Sequence, residues 1–400
     1  MKKSIFGFWK GLSLPVRILF GLAVGVVLGL TLPGWRWIGL LGTLFVGALK
    51  AIAPVLVALL VTSSIAKAGS GVGPRFRRVI ILYLVSTALA AFVAVLGSFL
   101  FPVTITLTDA ASDTAPGGLS DVFTIFLTNI VCNPVEALVK ANYIGILFWA
   151  IIFGLALKSL HIPATVKVIS DLADMVSTAV KWVIRCAPLG IMGLVFKSVS
   201  ESGLGIFVEY GQLLLLLVGC MLISLLLVNP LLAFAFLRRN PYPLLLQCLK
   251  DSGVNAFFTR SSAANIPVNL ELCSKLGLDE EFYSVSIPLG STINMNGAAI
   301  TITVLSLAVA NTVGIEVGFG AALLLCLVST LSACGASGVA GGSLLLVPLA
   351  CSFFGIPQDI AMQAVAVGFI IGVVQDSMET ALNSTGDVFF TAVADISSCK

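Results

Sequence analysis

The stretch Gln375–Asp387, QDSMETALNSTGD, interrupts an otherwise apolar C-terminal segment and limits what this chain can fold into. Asp376, Thr380, Asn383 and Asp387 recur at i, i+4, i+7 and i+11, so on a helix they share one face, with Glu379 at its margin. Carboxylates in hydrocarbon are very costly unless they face a protein interior and meet cations. The stretch therefore reads as part of an ion or substrate pathway inside a helical bundle.

Of the 400 residues, 58% are hydrophobic and 10% charged, against about 25% charged in a soluble domain. This composition predicts an all-α polytopic membrane protein. Runs such as Ile18–Leu32 and Leu213–Leu237 are almost continuously apolar, whereas the strands of a membrane barrel alternate. The net charge of +3 gives no reason to invoke nucleic acid. The nine cysteines fall singly in apolar sequence and read as small packing residues. The one histidine, His161, falls in a loop, and we read it as a surface residue. A histidine-based metal or catalytic centre is thereby disfavoured, and no paired nucleophile and base suggests an enzyme. The basic N-terminus reads as a tail before a first span rather than a signal peptide, because no small-residue cleavage pattern follows.

Apolar segments predict spans near 16–32, 40–66, 79–101, 122–157, 168–198 and 207–237. Basic residues precede the first span (Lys2, Lys3, Lys10, Arg17) and follow the second (Lys67, Arg75, Arg77, Arg78), fourth (Lys158, Lys167) and sixth (Arg238, Arg239). The junction after the third carries Asp109, Asp113 and Asp121. The positive-inside rule then places the N-terminus, and after eight spans the C-terminus, in the cytoplasm.

After Arg239 polar, glycine- and serine-rich segments enter the apolar sequence: Phe257–Asn269, Ser286–Ala299, Leu331–Leu346 and the acidic stretch. The first and third read as tips of hairpins whose arms are too short to span alone. The second and fourth read as longer helices with polar interruptions, each carrying Asn-x-x-Gly (Asn294–Gly297, Asn383–Gly386). A weak repeat with broken helices is the sequence sign of a secondary transporter with its binding site near the midplane. The expected organisation is a six-span part over 1–240, a core over 241–395 and a short cytoplasmic tail over 396–400. This makes about eight transmembrane helices plus two re-entrant hairpins.

Asn294, Asn383 and Asp387 offer oxygen ligands, while Gly290 and Gly297 permit local unwinding that frees carbonyls, the donor set a hard monovalent cation wants. Either asparagine alone would be explained by hydrogen bonding between helices; two such breaks with buried carboxylates point to a cation. The small residues Ser261–Asn265 let backbone N–H groups approach a carboxylate at a helix N-terminus. Gly335–Ser343 has the composition of a movable gate, and Asp376 suits an ammonium group. Asp359, Asp395 and Lys400 lie near segment ends and need only solvation.

The motifs TRSSAANIPV, LGSTINMNGAA, GVAGGS and ALNSTGD, in this order and spacing, resemble the dicarboxylate/amino acid:cation symporter family, the glutamate transporter homologues. The preceding spans fit its six-helix scaffold, so the resemblance covers nearly the whole chain. It implies an inverted-repeat core of two hairpins and two broken helices on a trimeric scaffold, with a transport domain moving like an elevator through the lipid bilayer of a bacterial inner membrane. It also implies that Ser262, beside Ser261, and the carbonyl of Arg260 hold the substrate's amino acid group, while Val339 and neighbours including Gly341 close over it. Asp376 would take the ammonium, with Thr380 and Asn383 beside it. One sodium ion would lie among Gly290, Asn294, Asn383 and Asp387. A second would use carbonyls of Thr292, Ala333, Cys334 and Ala336. A third would involve Tyr83, Ser86, Thr87, Asn294 and Asn296.

The chain departs from the family pattern where members with acidic substrates carry arginine and threonine; here stand Glu379 and Ala298. An acidic residue there repels a substrate carboxylate, so a small neutral polar substrate is expected, serine or threonine, as in the family's bacterial sodium/serine–threonine branch. Asn296 and Gly372 stand where relatives have aspartate, which weakens the third sodium site. A proton-coupled or acidic-substrate carrier is the alternative reading, and an anion channel a more remote one.

Overall fold

The computed structural model describes residues 12–67, 74–107, 132–336 and 341–398. Val339, Lys2, Lys3, Lys10, the three acidic residues between 109 and 121, and Lys400 lie outside them. Among the described residues seven helices are long and apolar enough to cross a membrane, eight if one bent pair counts as a span.

The first group comprises α1 (Leu14–Thr31), α2 (Trp37–Lys67), α5 (Tyr143–Leu160), α6 (Pro163–Arg185) and α7 (Ala187–Ser202), with α4 (Pro134–Val139) a short turn before α5. Of the span expected over 122–157, residues 122–131 lie outside the described residues, and the described part is divided between α4 and α5. Asn133 caps α4, Ala141 is left-handed at φ 51°, and Asn142 caps α5 by accepting from the Gly145 N–H at 3.2 Å. The polar caps stop an apolar run from forming one helix. His161 ends α5 in a left-handed conformation and is exposed, as expected. The span expected over 168–198 is bent by 55° between α6 and α7, where Pro188 enters the first turn of α7.

The second group comprises α3 (Pro74–Leu100) and the remainder: α8 (Ile206–Ile223), a π turn at Ser224–Val228, and α9 (Asn229–Leu237). Next comes a hairpin. Its first arm is α10 (Tyr242–Cys248), a π turn at Leu249–Gly253 and α11 (Val254–Thr259); its second arm is α12 (Ser262–Lys275). Then follow α13 (Glu280–Ile293) and α14 (Asn296–Thr312), and a second hairpin from α15 (Phe319–Ala333) to a 3₁₀ turn (Ser343–Leu346) and α16 (Val347–Ser352). The chain closes with α17 (Gln358–Ile396), 39 residues long. At about 1.5 Å per residue, the 14 residues of α12 and the 15 of α15 fall short of a bilayer. Both hairpins are thus found where the sequence places them.

One expectation fails. The polar interruption at Asn294–Met295 does break its helix, but the one at Asn383–Gly386 does not, and α17 runs through it unbroken. Glycine at 386 instead makes room: a Cβ there would lie 2.7 Å from Asn294 Nδ2. A second expectation also fails. Asp395 is buried and pairs with Arg75 (3.2 Å), which also reaches Asp279 (2.7 Å), while Asp359 pairs with Lys50 of α2. The charges at these helix ends tie elements together and are more than solvated.

α14 is buried from Asn296 to Ala310 and α17 along most of its length, held by α3, α8 and both hairpins. The polar face of α17 therefore meets protein, as the cost of carboxylates in hydrocarbon requires. In the first group, α1 lies against α7 through Gly21, Gly25 and Gly29. The approach is tightest at Gly21, where a Cβ would sit 2.2 Å from the Pro188 carbonyl oxygen. Gly21→Val is expected to push the two helices apart and cost about 1–3 kcal/mol, read as a lower melting temperature in detergent. A parental melting temperature would show that this contact is not tight.

Candidate functional site

The two hairpin tips and the break between α13 and α14 converge on the middle of α17. Arg260 ends α11 with a left-handed backbone at φ 53°, and Ser261 caps α12, its hydroxyl accepting from the Ala264 N–H at 3.2 Å. Ser262, the first residue of α12, is buried. This geometry turns the Arg260 side chain inward. Its Nε donates to Asp376 Oδ2 at 2.7 Å, and both residues are buried, 8% and 3% exposed. The other Asp376 oxygen accepts from the Gly341 N–H of the second hairpin at 3.0 Å. Thr380, also buried, donates its hydroxyl back to the Asp376 carbonyl at 2.7 Å.

Glu379 lies one step around the helix. Its Oε2 accepts from Thr301 Oγ1 of α14 (2.7 Å), Ser343 Oγ of the second hairpin (2.8 Å) and Gln375 Nε2 (2.5 Å). Among the described residues it forms no ion pair. Its neighbours are neutral donors, which stabilise an acceptor oxygen without cancelling its charge. Gly297 lets α14 pack directly on this point, since a Cβ there would lie 2.7 Å from the Glu379 Cα.

Below this, the helix break meets Asn383 and Asp387. Asn383 Oδ1 accepts from the Gly297 N–H at 2.8 Å, satisfying a donor freed at the start of α14. Asn294 Nδ2 donates to the Asn383 carbonyl (3.0 Å) and to Asp387 Oδ1 (2.9 Å). Asp387 is fully buried, and among the described residues no donor reaches its Oδ2. Gly290 brings the α13 backbone against it: a Cβ there would lie 2.9 Å from Asp387 Oδ1 and 2.8 Å from the Tyr83 hydroxyl. A buried carboxylate oxygen without a donor is costly unless a cation meets it. The oxygens around it have the hardness a sodium ion selects.

The second set is brought near the same break, where Cys334 Sγ donates to the Ile293 carbonyl at 3.6 Å. Ala333 and Ala336 are buried, whereas Thr292 is exposed. The third set is also assembled. Ser86 and Thr87 both donate to Asn296 Oδ1 (3.1 and 2.8 Å) and to the Tyr83 carbonyl. The amide of Asn296 donates to Asn229 Oδ1 at 3.2 Å. In this set the oxygens of Asn296 and Tyr83 already accept from neighbouring hydroxyls.

Several residues here escape a sequence reading. Asn265 Nδ2 donates to Ser384 Oγ (2.7 Å), Ser252 Oγ (3.0 Å) and Asn269 Oδ1 (3.0 Å), and Asn255 donates to Asn265 Oδ1 (2.6 Å). This buried network fastens the first hairpin to α17. The π turn at Leu249–Gly253 aims Ser252 at it, and Asn265 and Asn269 stand one helical turn apart, which is the only trace in the sequence. Thr301, Ser343 and Gln375 around Glu379, and Asn229 within an apolar run, were likewise not legible.

The family model described as the sodium:dicarboxylate symporter family matches residues 14–397. The chain belongs to this family. It is 59% identical over 394 residues to a protein of Bifidobacterium adolescentis named serine/threonine transporter SstT, covering 98% of this chain and 92% of the relative. Proteins of the same name from Streptococcus agalactiae and Streptococcus thermophilus are 56% identical over 395 residues and 53% identical over 401. With its apolar spans, this member of a symporter family is a multi-pass membrane transporter and not an enzyme.

Asn265→Leu removes all the side-chain hydrogen bonds of Asn265 at once, while Ser252, Asn269 and Ser384 still bond to one another. At about 1–3 kcal/mol for each buried polar group left unsatisfied, the total loss is expected to be about 2–5 kcal/mol. It is measured by thermal unfolding, with protease cleavage near the first hairpin as the local readout. Unchanged stability and cleavage would show that the network does not hold the hairpin.

Proposed function

We propose that this protein imports small neutral amino acids, serine and threonine, with sodium ions across the bacterial inner membrane. The observation that carries the substrate reading is Glu379, a buried carboxylate bonded to neutral donors. A second carboxylate on the substrate would meet repulsion there, whereas a hydroxyl meets Thr301, Ser343 and Glu379 as hydrogen-bonding partners. The relatives named serine/threonine transporter support the same choice. Asp376 receives the substrate ammonium, with Thr380 and Asn383 beside it and Ser261 and Ser262 at the carboxylate. Val339 and Gly341 belong to the second tip that closes over it.

The cation reading rests on the unpartnered Asp387 oxygen. One sodium ion lies among Gly290, Asn294, Asn383 and Asp387, and a second among Thr292, Ala333, Cys334 and Ala336. The third set, Tyr83, Ser86, Thr87 and Asn296, is better explained by its own hydrogen bonds. The family resemblance adds a homotrimer whose core, residues 241–395 with parts of the earlier spans, moves against the scaffold. On this reading both termini lie in the cytoplasm. The basic start of α3 lies beside the C-terminal end of α17, where Arg78 donates to the Ser397 carbonyl at 2.8 Å.

Purified protein in proteoliposomes is expected to take up serine and threonine, and not aspartate, when a sodium gradient is imposed. Full uptake on a proton gradient without sodium would sink the cation assignment, and aspartate uptake would sink the substrate assignment. Asp387→Asn keeps the side-chain volume and removes the charge. It is expected to raise the sodium concentration for half-maximal serine uptake about tenfold or more, equivalent to at least about 1.4 kcal/mol. A folded variant with the parental sodium dependence would show that Asp387 is not a ligand.

A further inference from the structure

The side chain of Arg260 has a place the function above leaves unexplained. It sits at the tip of the first hairpin, in a left-handed conformation uncommon for a residue with a Cβ, and its buried guanidinium donates to Asp376 at 2.7 Å. If Asp376 is the seat of the substrate ammonium, then in this structure that seat is taken by a cation of the protein itself. An incoming ammonium must displace the guanidinium. A buried guanidinium deprived of its carboxylate is strongly unfavourable, so a second anion must replace Asp376. In an α-amino acid the carboxylate is attached to the same carbon as the ammonium, and it would arrive beside the N-terminus of α12 at Ser261–Ser262, next to Arg260.

We propose that Arg260 occupies the ammonium subsite of the empty transporter and passes to the substrate carboxylate on binding, so that the Arg260–Asp376 pair opens to admit a zwitterion as a unit. This rests on the assignment of Asp376 to the ammonium. Before binding the pair is neutral, and after binding each buried charge again faces an opposite one. A cation alone would satisfy Asp376 and strand Arg260, and a carboxylate alone would do the reverse. Arg260 is thereby a specificity residue for the α-amino acid group, distinct from Glu379, which reads the side chain.

The test compares equilibrium binding, in saturating sodium at pH 7, of L-serine and of ethanolamine, which is serine without its carboxylate and remains a cation. The parent should bind serine far more tightly. In Arg260→Gln both ligands escape competition with the guanidinium, but serine alone loses a partner. The ratio of the ethanolamine Kd to the serine Kd should therefore fall about tenfold or more, the size expected for one charge-assisted hydrogen bond. A merely structural role would weaken both ligands together and leave the ratio unchanged, which would overturn the proposal. A second measurement needs no variant: in the parent, acetate should tighten ethanolamine binding by supplying the missing anion, and no acetate effect would equally overturn it. Failure of the parent to bind serine in sodium would instead count against the substrate reading itself.

Discussion

Asp376 joins both hairpins to the long helix at a single group. One oxygen receives Arg260 from the first tip and the other the Gly341 N–H from the second. A buried carboxylate gains strongly from partners on both oxygens, because an unpaired charge in a low-dielectric interior is among the largest penalties a fold can carry. The two re-entrant segments, neither long enough to span, are thus drawn to the same point on α17. Around that point the other polar groups find their partners, including Glu379 with its three donors and the Asn265 network behind the first hairpin.

Asp387 is the contrasting case on the same face. Asn294 satisfies one oxygen, Oδ1, against which Gly290 brings only backbone, and the other, Oδ2, has no donor among the described residues. The three carboxylates Asp376, Glu379 and Asp387 in the middle of α17 therefore differ in kind: one is neutralised by an internal cation, one is surrounded by neutral donors, and one is left short. A sodium-coupled carrier needs such inequality, since an ion must prefer one acidic group while an organic substrate meets the others.

Much of this was legible in the sequence, for a physical reason. Hydropathy marks spans because the bilayer imposes a length, and the short arms beside glycine- and serine-rich tips could not have crossed it. The i, i+4, i+7, i+11 spacing placed Asp376 and Asp387 on one face because helical geometry is local. Other readings failed where a local signal had two meanings. Asn-x-x-Gly breaks the helix at Asn294, where Asn383 captures the freed Gly297 N–H. At Asn383 the same motif only thins the helix so that Asn294 can approach Gly386. Asp395 looked like a solvated helix end, but Arg75, 320 residues away in sequence, covers it.

The sequence by itself determined the class of the protein, where most of its apolar helices fall and which helix face carries charge, because these follow from composition and from periodicities of a few residues. Tertiary structure alone decided which charges meet. That Arg260 reaches Asp376 across 116 residues, that Ser343 and Thr301 converge on Glu379, and that one oxygen of Asp387 is left without a donor are properties of packing between distant segments. No local pattern encodes them, since each depends on where a hairpin tip comes to rest against a helix.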